Sequence, residues 1–328
     1  MKNIFQALAF TTVAATTAVA DTYQYCYEVP DFDRWMYPWN GTPGTRIAGP
    51  TFTGYGSGVD DRYGQSLFGW VTIDIPTDLP AHAYTIVSMS VEASISNDNV
   101  ILDETEDARS THDDPESDLD PGRPFHLSGV GFRGDYDANT FGDDAPFGSP
   151  DRNAYALGFT PDGEAIDISN NLTEQFDPKF FAVATSDSAE PGEFLPELAR
   201  MRFDVDVADE YISCYVSESL SFGLLDVMIT SLHTGTHSGG SYPQWIMAEH
   251  PLVELVPDTG ATLCIEVEIS YSGVSGDTNG DGLVNIEDLL KALDEFGECD
   301  KCSCASDFNS DSQINVDDVL VVISGWTG

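Results

Sequence analysis

Carboxylates and amides recur at alternate positions near the end of the chain. Asp277, Asn279, Asp281, Asn285 and Asp288 stand at positions 1, 3, 5, 9 and 12 of one stretch, and Asp307, Asn309, Asp311, Asn315 and Asp318 repeat them 30 residues later. Oxygen-only side chains at this spacing suit a hard cation: calcium takes about six to eight oxygens, and alternate positions of a tight loop wrap around it. Position 7 of such a loop supplies a backbone carbonyl, which adds Leu283 and Gln313. An ordinary polar turn in an acidic chain has no reason to repeat in register. The expectation is two Ca2+ sites, the second weaker, because Ser312 stands where the first loop has Gly282. A left-handed backbone at that position costs a non-glycine residue about 1–2 kcal/mol.

Each loop runs into an amphipathic segment. Ile286, Leu289, Leu290, Leu293 and Phe296 correspond to Val316, Val319, Leu320, Ile323 and Trp326, and the spacing places each set on one helical face. Neither segment can bury that face alone, so the two helices are expected to pack against each other as an antiparallel pair. No helix is predicted ahead of either loop.

Paired loop-helix repeats without an entering helix, with Asp at position 12, resemble the type I dockerin family. The resemblance covers Asp277 to Gly328. It implies two calcium sites with the ligands named above, secretion, and attachment of a cargo domain to a cohesin-type receptor, usually in polysaccharide degradation. Positions 10 and 11, which carry cohesin contacts as small hydroxyl residues in that family, are Ile286-Glu287 and Val316-Asp317 here. The metal sites follow from the pattern; the identity of the receptor does not.

Upstream, residues 1–20 read as a secretory signal: Lys2, a moderately apolar run, then Ala18-Val19-Ala20 before Asp21. The run is too short for the rival reading, a membrane anchor. Export fits the six cysteines, Cys26, Cys214, Cys264, Cys299, Cys302 and Cys304, whose even number favours disulfides. The trio at 299–304 could instead hold a soft metal. The chain carries 56 Asp and Glu against 13 Lys and Arg, a net charge of −43, which excludes nucleic acid and anionic membranes as partners. No segment predicts membrane insertion.

Residues 21–271 read as one mainly β domain, an antiparallel β-sandwich of plain or jelly-roll type. Residues 272–276 are a Gly/Ser linker and residues 277–328 the small all-α calcium module. Apolar and polar residues alternate over Thr85–Ile95, Met201–Val207 and Leu263–Tyr271, which is the period of half-buried strands. Further strands are expected at Leu67–Ile75, Phe125–Phe132, Phe180–Thr185 and Leu220–Leu232, with a helix over Asp209–Ser219. Asn97–Gly122, with ten acidic residues, reads as a solvated loop.

The β domain offers weaker chemistry. Tyr23, Tyr25, Tyr27, Phe32, Trp35, Tyr37 and Trp39 form either a sugar-stacking platform or, the favoured reading, a strand packed into the core. Arg123, His126, Arg133 and Tyr136 flank one strand and could bind and deprotonate an acidic sugar. The pairs Asp60-Asp61 and Asp143-Asp144 read as solvated turns or ion pairs rather than as a catalytic acid/base pair. His233 and His237 are four apart, but Gly235 between them disfavours a helical zinc pair. Asn40 and Asn171 begin glycosylation tripeptides. Arg34 to Arg46 is similar to a stretch of exported β proteins with such tails. The expected function is a secreted calcium-binding protein whose tail anchors a glycan-binding or structural domain to a cohesin-like or other extracellular receptor. The alternative is a polysaccharide hydrolase or lyase on the same tail; enzymatic activity is left open, with the weight against it.

Overall fold

The computed structural model describes residues 21–38, 40–54, 64–107, 119–148, 152–169, 179–235, 240–299, 302, 304–309, 311 and 313–327. The signal segment, Trp39, Asp60-Asp61, Asn171, His237 and Ser312 lie outside them. The chain divides into two compact units, one of Thr22–Ile269 with Asp300–Ser303, the other of Ser270–Cys299 and Cys304–Gly328.

The larger unit is mainly β. Eleven strands form one connected sheet: β1 (Asp21–Tyr27), β2 (Phe32–Met36), β3 (Gln65–Val71), β4 (Tyr84–Ser94), β5 (Phe125–Phe132), β6 (Ala154–Phe159), β7 (Ala165–Asp167), β8 (Ala182–Thr185), β9 (Arg200–Asp204), β10 (Leu224–Ser231) and β11 (Thr262–Ile269). The order is β1-β11-β4-β9-β8-β5-β10-β3-β2, with β6 and β7 continuing from β5. Every ladder of this sheet with a described register is antiparallel.

One core serves both halves of this sheet, so the sheet curls over on itself. Phe68, Trp70, Phe125, Leu127, Val227 and Ile229 from one half share an apolar cluster with Val91, Ala93, Met201, Phe203, Leu263 and Ile265 from the other. Helix α1 (Glu210–Phe222) adds Ile212, Val216 and Leu220 to it. Asp209 caps this helix by accepting the Tyr211 and Ile212 amides, and Gly223, at φ 77°, ends it. That glycine is why the strand expected from Leu220 starts only at Leu224.

The two halves differ. β9 and β11 alternate buried and more open residues and β4 does so over its first residues, whereas β3, β5 and β10 are buried almost throughout. A second cluster explains this: Met36, Leu67, Val130 and Met228 on the far face are covered by Phe141, Ala154, Ala156 and Ile168. Alternation also breaks once inside β4. The β4–β11 register slips between Glu266, opposite Ser88, and Val267, opposite Ile86. Val87 is thereby left 43% exposed while Ile86 turns inward.

Asn97–Gly122 is less solvated than its charge implied, since Val100, Leu102 and Asp103 are buried. The six cysteines pair as Cys26–Cys264, Cys214–Cys302 and Cys299–Cys304, as expected of disulfides rather than a soft-metal site. The first joins β1 to β11. Among the described residues no helix is long and apolar enough to cross a membrane.

The smaller unit holds α3 (Ile286–Asp294) and α4 (Val316–Ser324); the short α2 (Pro251–Leu255) belongs to the larger one. The small unit is not purely helical, because Gly297 pairs with Ile314 and Glu298 with Gln313 in a short antiparallel ladder. Gly276 belongs to it as well as to the linker: a Cβ there would lie 3.1 Å from the Val322 Cα.

Candidate metal centre

The first loop is held by its own side chains. Asp277 Oδ1 accepts the amides of Gly280 at 2.9 Å and Asp281 at 3.3 Å, and Oδ2 accepts that of Gly282 at 2.7 Å. Asn279 Oδ1 accepts from Asp281 at 3.0 Å and Asp281 Oδ1 from Leu283 at 2.8 Å. Such short-range turns are what Asx side chains form with the backbone ahead of them. Gly280 and Gly282 sit at φ 73° and 84°, where a side chain would be strained. The second loop repeats these bonds. Asp307 Oδ1 accepts from Asp311 at 3.2 Å, Asn309 Oδ1 from Asp311 at 2.9 Å, and Asp311 Oδ1 from Gln313 at 2.9 Å.

Positions 9 and 12 start the helices. Asn285 and Asn315 are the N-caps, each accepting the amide two residues on at 2.8 Å. Asp288 and Asp318, both fully buried, return the bond: Oδ2 accepts the cap amide at 2.8 and 3.0 Å. This is a capping box with Asp in the usual Glu place. Their other oxygens reach back across the loops, Asp288 to the Thr278 amide at 2.8 Å and Asp318 to the Phe308 amide at 3.0 Å. One carboxylate therefore couples loop to helix in each repeat.

The loops differ in the bonds behind position 12. The Thr278 hydroxyl also donates to Asp288 at 3.1 Å, where the second loop has Phe308 and no hydroxyl to offer. Lys291 Nζ donates to the Thr278 carbonyl at 2.9 Å, and Val321 occupies the equivalent place in the second repeat. Spacing and charge at the ligand positions gave no sign of Thr278 or Lys291; only the comparison of the two repeats residue by residue exposes them.

The donor set fits a hard divalent cation. All the side chains are carboxylates or amides; Asp277 Oδ2, Asp281 Oδ1 and Asp288 Oδ2 each hold one amide and keep a further lone-pair site, whereas Asp277 Oδ1 and Asp288 Oδ1 are filled by two or more donors. The loop carboxylates are held in their turns rather than drawn into one knot. Among the described residues the close carboxylate trio is elsewhere, at Asp103, Asp107 and Asp120, whose oxygens lie within 4.8 Å of one another.

The two helices meet along a narrow stripe. Val284, Ala292 and Val322 form its buried centre, with Leu289, Phe308 and Val319 packed around them. The broader mutual burial expected from the sequence does not occur. Ile286, Leu290, Leu293 and Phe296, with their counterparts Val316, Leu320, Ile323 and Trp326, remain between 42% and 62% exposed. Contact at Leu289/Ala292 and Val319/Val322 turns the larger apolar residues outward, giving a duplicated face too apolar for ordinary surface.

Of the described β-domain candidates, Arg123, His126 and His233 lie within electrostatic reach of one another, and the others are engaged elsewhere. His126 is buried in β5 with Phe180 stacked on its ring at 3.7 Å, and burial drives its pKa down to about 3. Tyr136 meets Phe141 edge-on at 5.5 Å, while Arg133 pairs with Asp167 at 2.8 Å and lies over the Tyr155 ring. Tyr23, Tyr25 and Tyr27 pack against the main core, Phe32 against the second cluster, and Trp35 is buried, stacked on Tyr37 at 4.4 Å. His233 is buried against Phe125. Asp143 lies beside Arg34, whose Nη1 donates to the Gly142 and Ala145 carbonyls. Asn40 is spent on local bonds with Trp35 and Thr42. No protein family matches the chain, and no curated protein matches it.

Proposed function

We propose that the chain is a secreted modular calcium protein whose dockerin-like tail docks a β-sandwich domain to an extracellular partner. One observation carries the reading: two loops 30 residues apart make the same side-chain-to-backbone bonds and start the same capped helices. Calcium would supply the positive charge that lets several carboxylates share one small volume. Asp277, Asn279, Asp281, Asn285, Asp288 and the Leu283 carbonyl would hold it in the first loop. Asp307, Asn309, Asp311, Asn315, Asp318 and the Gln313 carbonyl would do so in the second. The second site is the weaker, with fewer bonds behind Asp318.

The partner is a cohesin-like module or another extracellular receptor with an apolar surface, to suit the duplicated face around Leu290 and Leu320. The curled sheet is read as a β-sandwich whose halves join at β8. As cargo it binds glycan or serves structurally, in polysaccharide use. The three disulfides suit an oxidising, extracellular setting.

Calorimetric titration of the full chain with calcium tests the first half of this reading, and two unequal binding steps are expected. Absence of heat at millimolar calcium would remove the module assignment. Capture by immobilised cohesin-type modules, present with calcium and lost in chelator, tests the second half. Calcium binding without capture would leave the metal sites and discard that receptor class.

A further inference from the structure

The half-sheet buried on both faces carries polar groups where a covered layer would normally be apolar. Gln65, Thr230, His126 and Ser128 share the far face with Leu67, Met228 and Val130, because side chains alternate along β3, β10 and β5. The registers set them side by side. Thr230 lies opposite His126 and Met228 opposite Ser128. Ile229 lies opposite Ser66, which brings Gln65 beside Thr230 on the next rung. Opposed residues of a ladder have Cβ atoms ~5 Å apart.

All four residues are at most 1% exposed. Yet Gln65 Oε1 and Nε2, Thr230 Oγ1, His126 Nε2 and Ser128 Oγ find no hydrogen-bond partner among the described residues. A buried polar atom without a partner keeps the full cost of losing water, which is why such atoms are rare singly. Five on neighbouring rungs are a group, and the group holds donors and acceptors together.

The set carries no formal charge. His126 is neutral at physiological pH. Asp226, on the same face two positions from Met228, is kept protonated by burial up to about 8. Arg34, also on this face, directs Nη1 to two loop carbonyls. Arg34 puts a cation on this face, but the four side chains themselves are neutral and suit a molecule that both donates and accepts.

We propose that Gln65, His126, Ser128 and Thr230 form a buried site for a neutral hydroxylic ligand, either ordered water or the hydroxyl groups of a sugar. The bound oxygens bridge strands β3, β10 and β5 on the face away from the main core. The site is independent of the calcium loops.

Two measurements on the full-length protein test it. A high-resolution crystal structure should show ordered oxygen bridging at least three of the four side chains. Direct bonds among those side chains, with nothing between them, would overturn the proposal. Thr230→Val and Gln65→Met keep shape and remove the polar atoms. Each should lower the melting temperature by ~2–4 °C, and the double variant by less than the sum, because one bound group serves both. A rise in melting temperature, or strict additivity, counts against the site. Melts in glucose, xylose and glycerol separate the sources: a shift that Thr230→Val abolishes identifies sugar hydroxyls, and bridging oxygen without any such shift identifies water.

Discussion

Thr327 closes on Val284 across 43 residues of sequence: its Oγ1 accepts the Val284 amide at 2.9 Å, and its own amide donates to the Val284 carbonyl at 2.9 Å. Ile314, the equivalent of Val284 in the second repeat, is paired with Gly297, the equivalent of Thr327. Each loop is thus tied at position 8 to the segment that follows the other repeat's helix. Neither repeat completes its own loop, which is a structural reason for the duplication.

Thr327→Val tests this exchange. The substitution keeps the shape and the main-chain bond but removes the acceptor for Val284. A lost bond of about 1 kcal/mol weakens calcium binding roughly fivefold. Calorimetry should register that loss in the first, tighter step and leave the second step where it was. An equal loss in both steps would mean that the tie stabilises the unit as a whole.

Asp288 has two separable roles, and substitutions separate them. Asp281→Ala removes a proposed calcium ligand and the Leu283 turn, so its cost should appear with calcium present. Asp288→Ala also removes the return bond to Asn285 and the tie to Thr278. A lost cap costs about 1 kcal/mol even without metal. In chelator, far-ultraviolet circular dichroism should therefore show less helix for Asp288→Ala than for Asp281→Ala. Equal signals in chelator would leave Asp288 as a ligand alone.

How much of this could be read from the sequence depended on which faces each residue met. Met201, Phe203 and their polar neighbours advertise β9 because one of its faces is open. β5 and β10 are covered on both faces, so His126, Ser128 and Thr230 occupy buried places with polar residues and mislead any pattern based on burial. Val87 reads as inward by period two and is exposed, because it is the extra residue of a bulge in β4, which shows only against the register of β11. In the two Asp/Asn loops the legible part was the oxygen spacing, which is local. Lys291 and Thr327 act through bonds to backbone atoms, and Thr278 through a hydroxyl outside the ligand spacing, which leave no composition signal. The helix face was legible as apolar but not as exposed, since period fixes which residues share a side and not what covers that side.

The exposed face makes a prediction about solution behaviour. Leu290→Ser and Leu320→Ser change residues that are already open to solvent, so each should alter stability by no more than ~0.5 kcal/mol. Binding of a dye that reports exposed apolar surface should fall with either change and fall further with both. If dye binding is unaffected while stability drops by several times that amount, the two leucines are buried in solution and the docking face does not exist.

Asp226 supplies the pH dependence. It lies in β10 with neither carboxylate oxygen hydrogen-bonded, and a Cβ on Gly69 would come within 2.4 Å of Oδ1. Burial raises its pKa to about 8, against ~3.9 in an unfolded chain. The folded state therefore holds a proton that the unfolded state has released over the window from pH 4 to pH 8. Stability falls as pH rises wherever the native state binds more protons, so this group's contribution is complete below pH 4 and is lost on the way to pH 8. Other carboxylates add their own slopes, and a chain of net charge −43 also repels itself more at high pH, so the comparison must be with a variant. Asp226→Asn keeps the shape and cannot ionise. Its melting temperature should match that of the parent near pH 4 and exceed it increasingly toward pH 8. Parallel curves for the two proteins across that range would show that the carboxyl is ionised and paired in the folded state, which its buried place beside Gly69 denies.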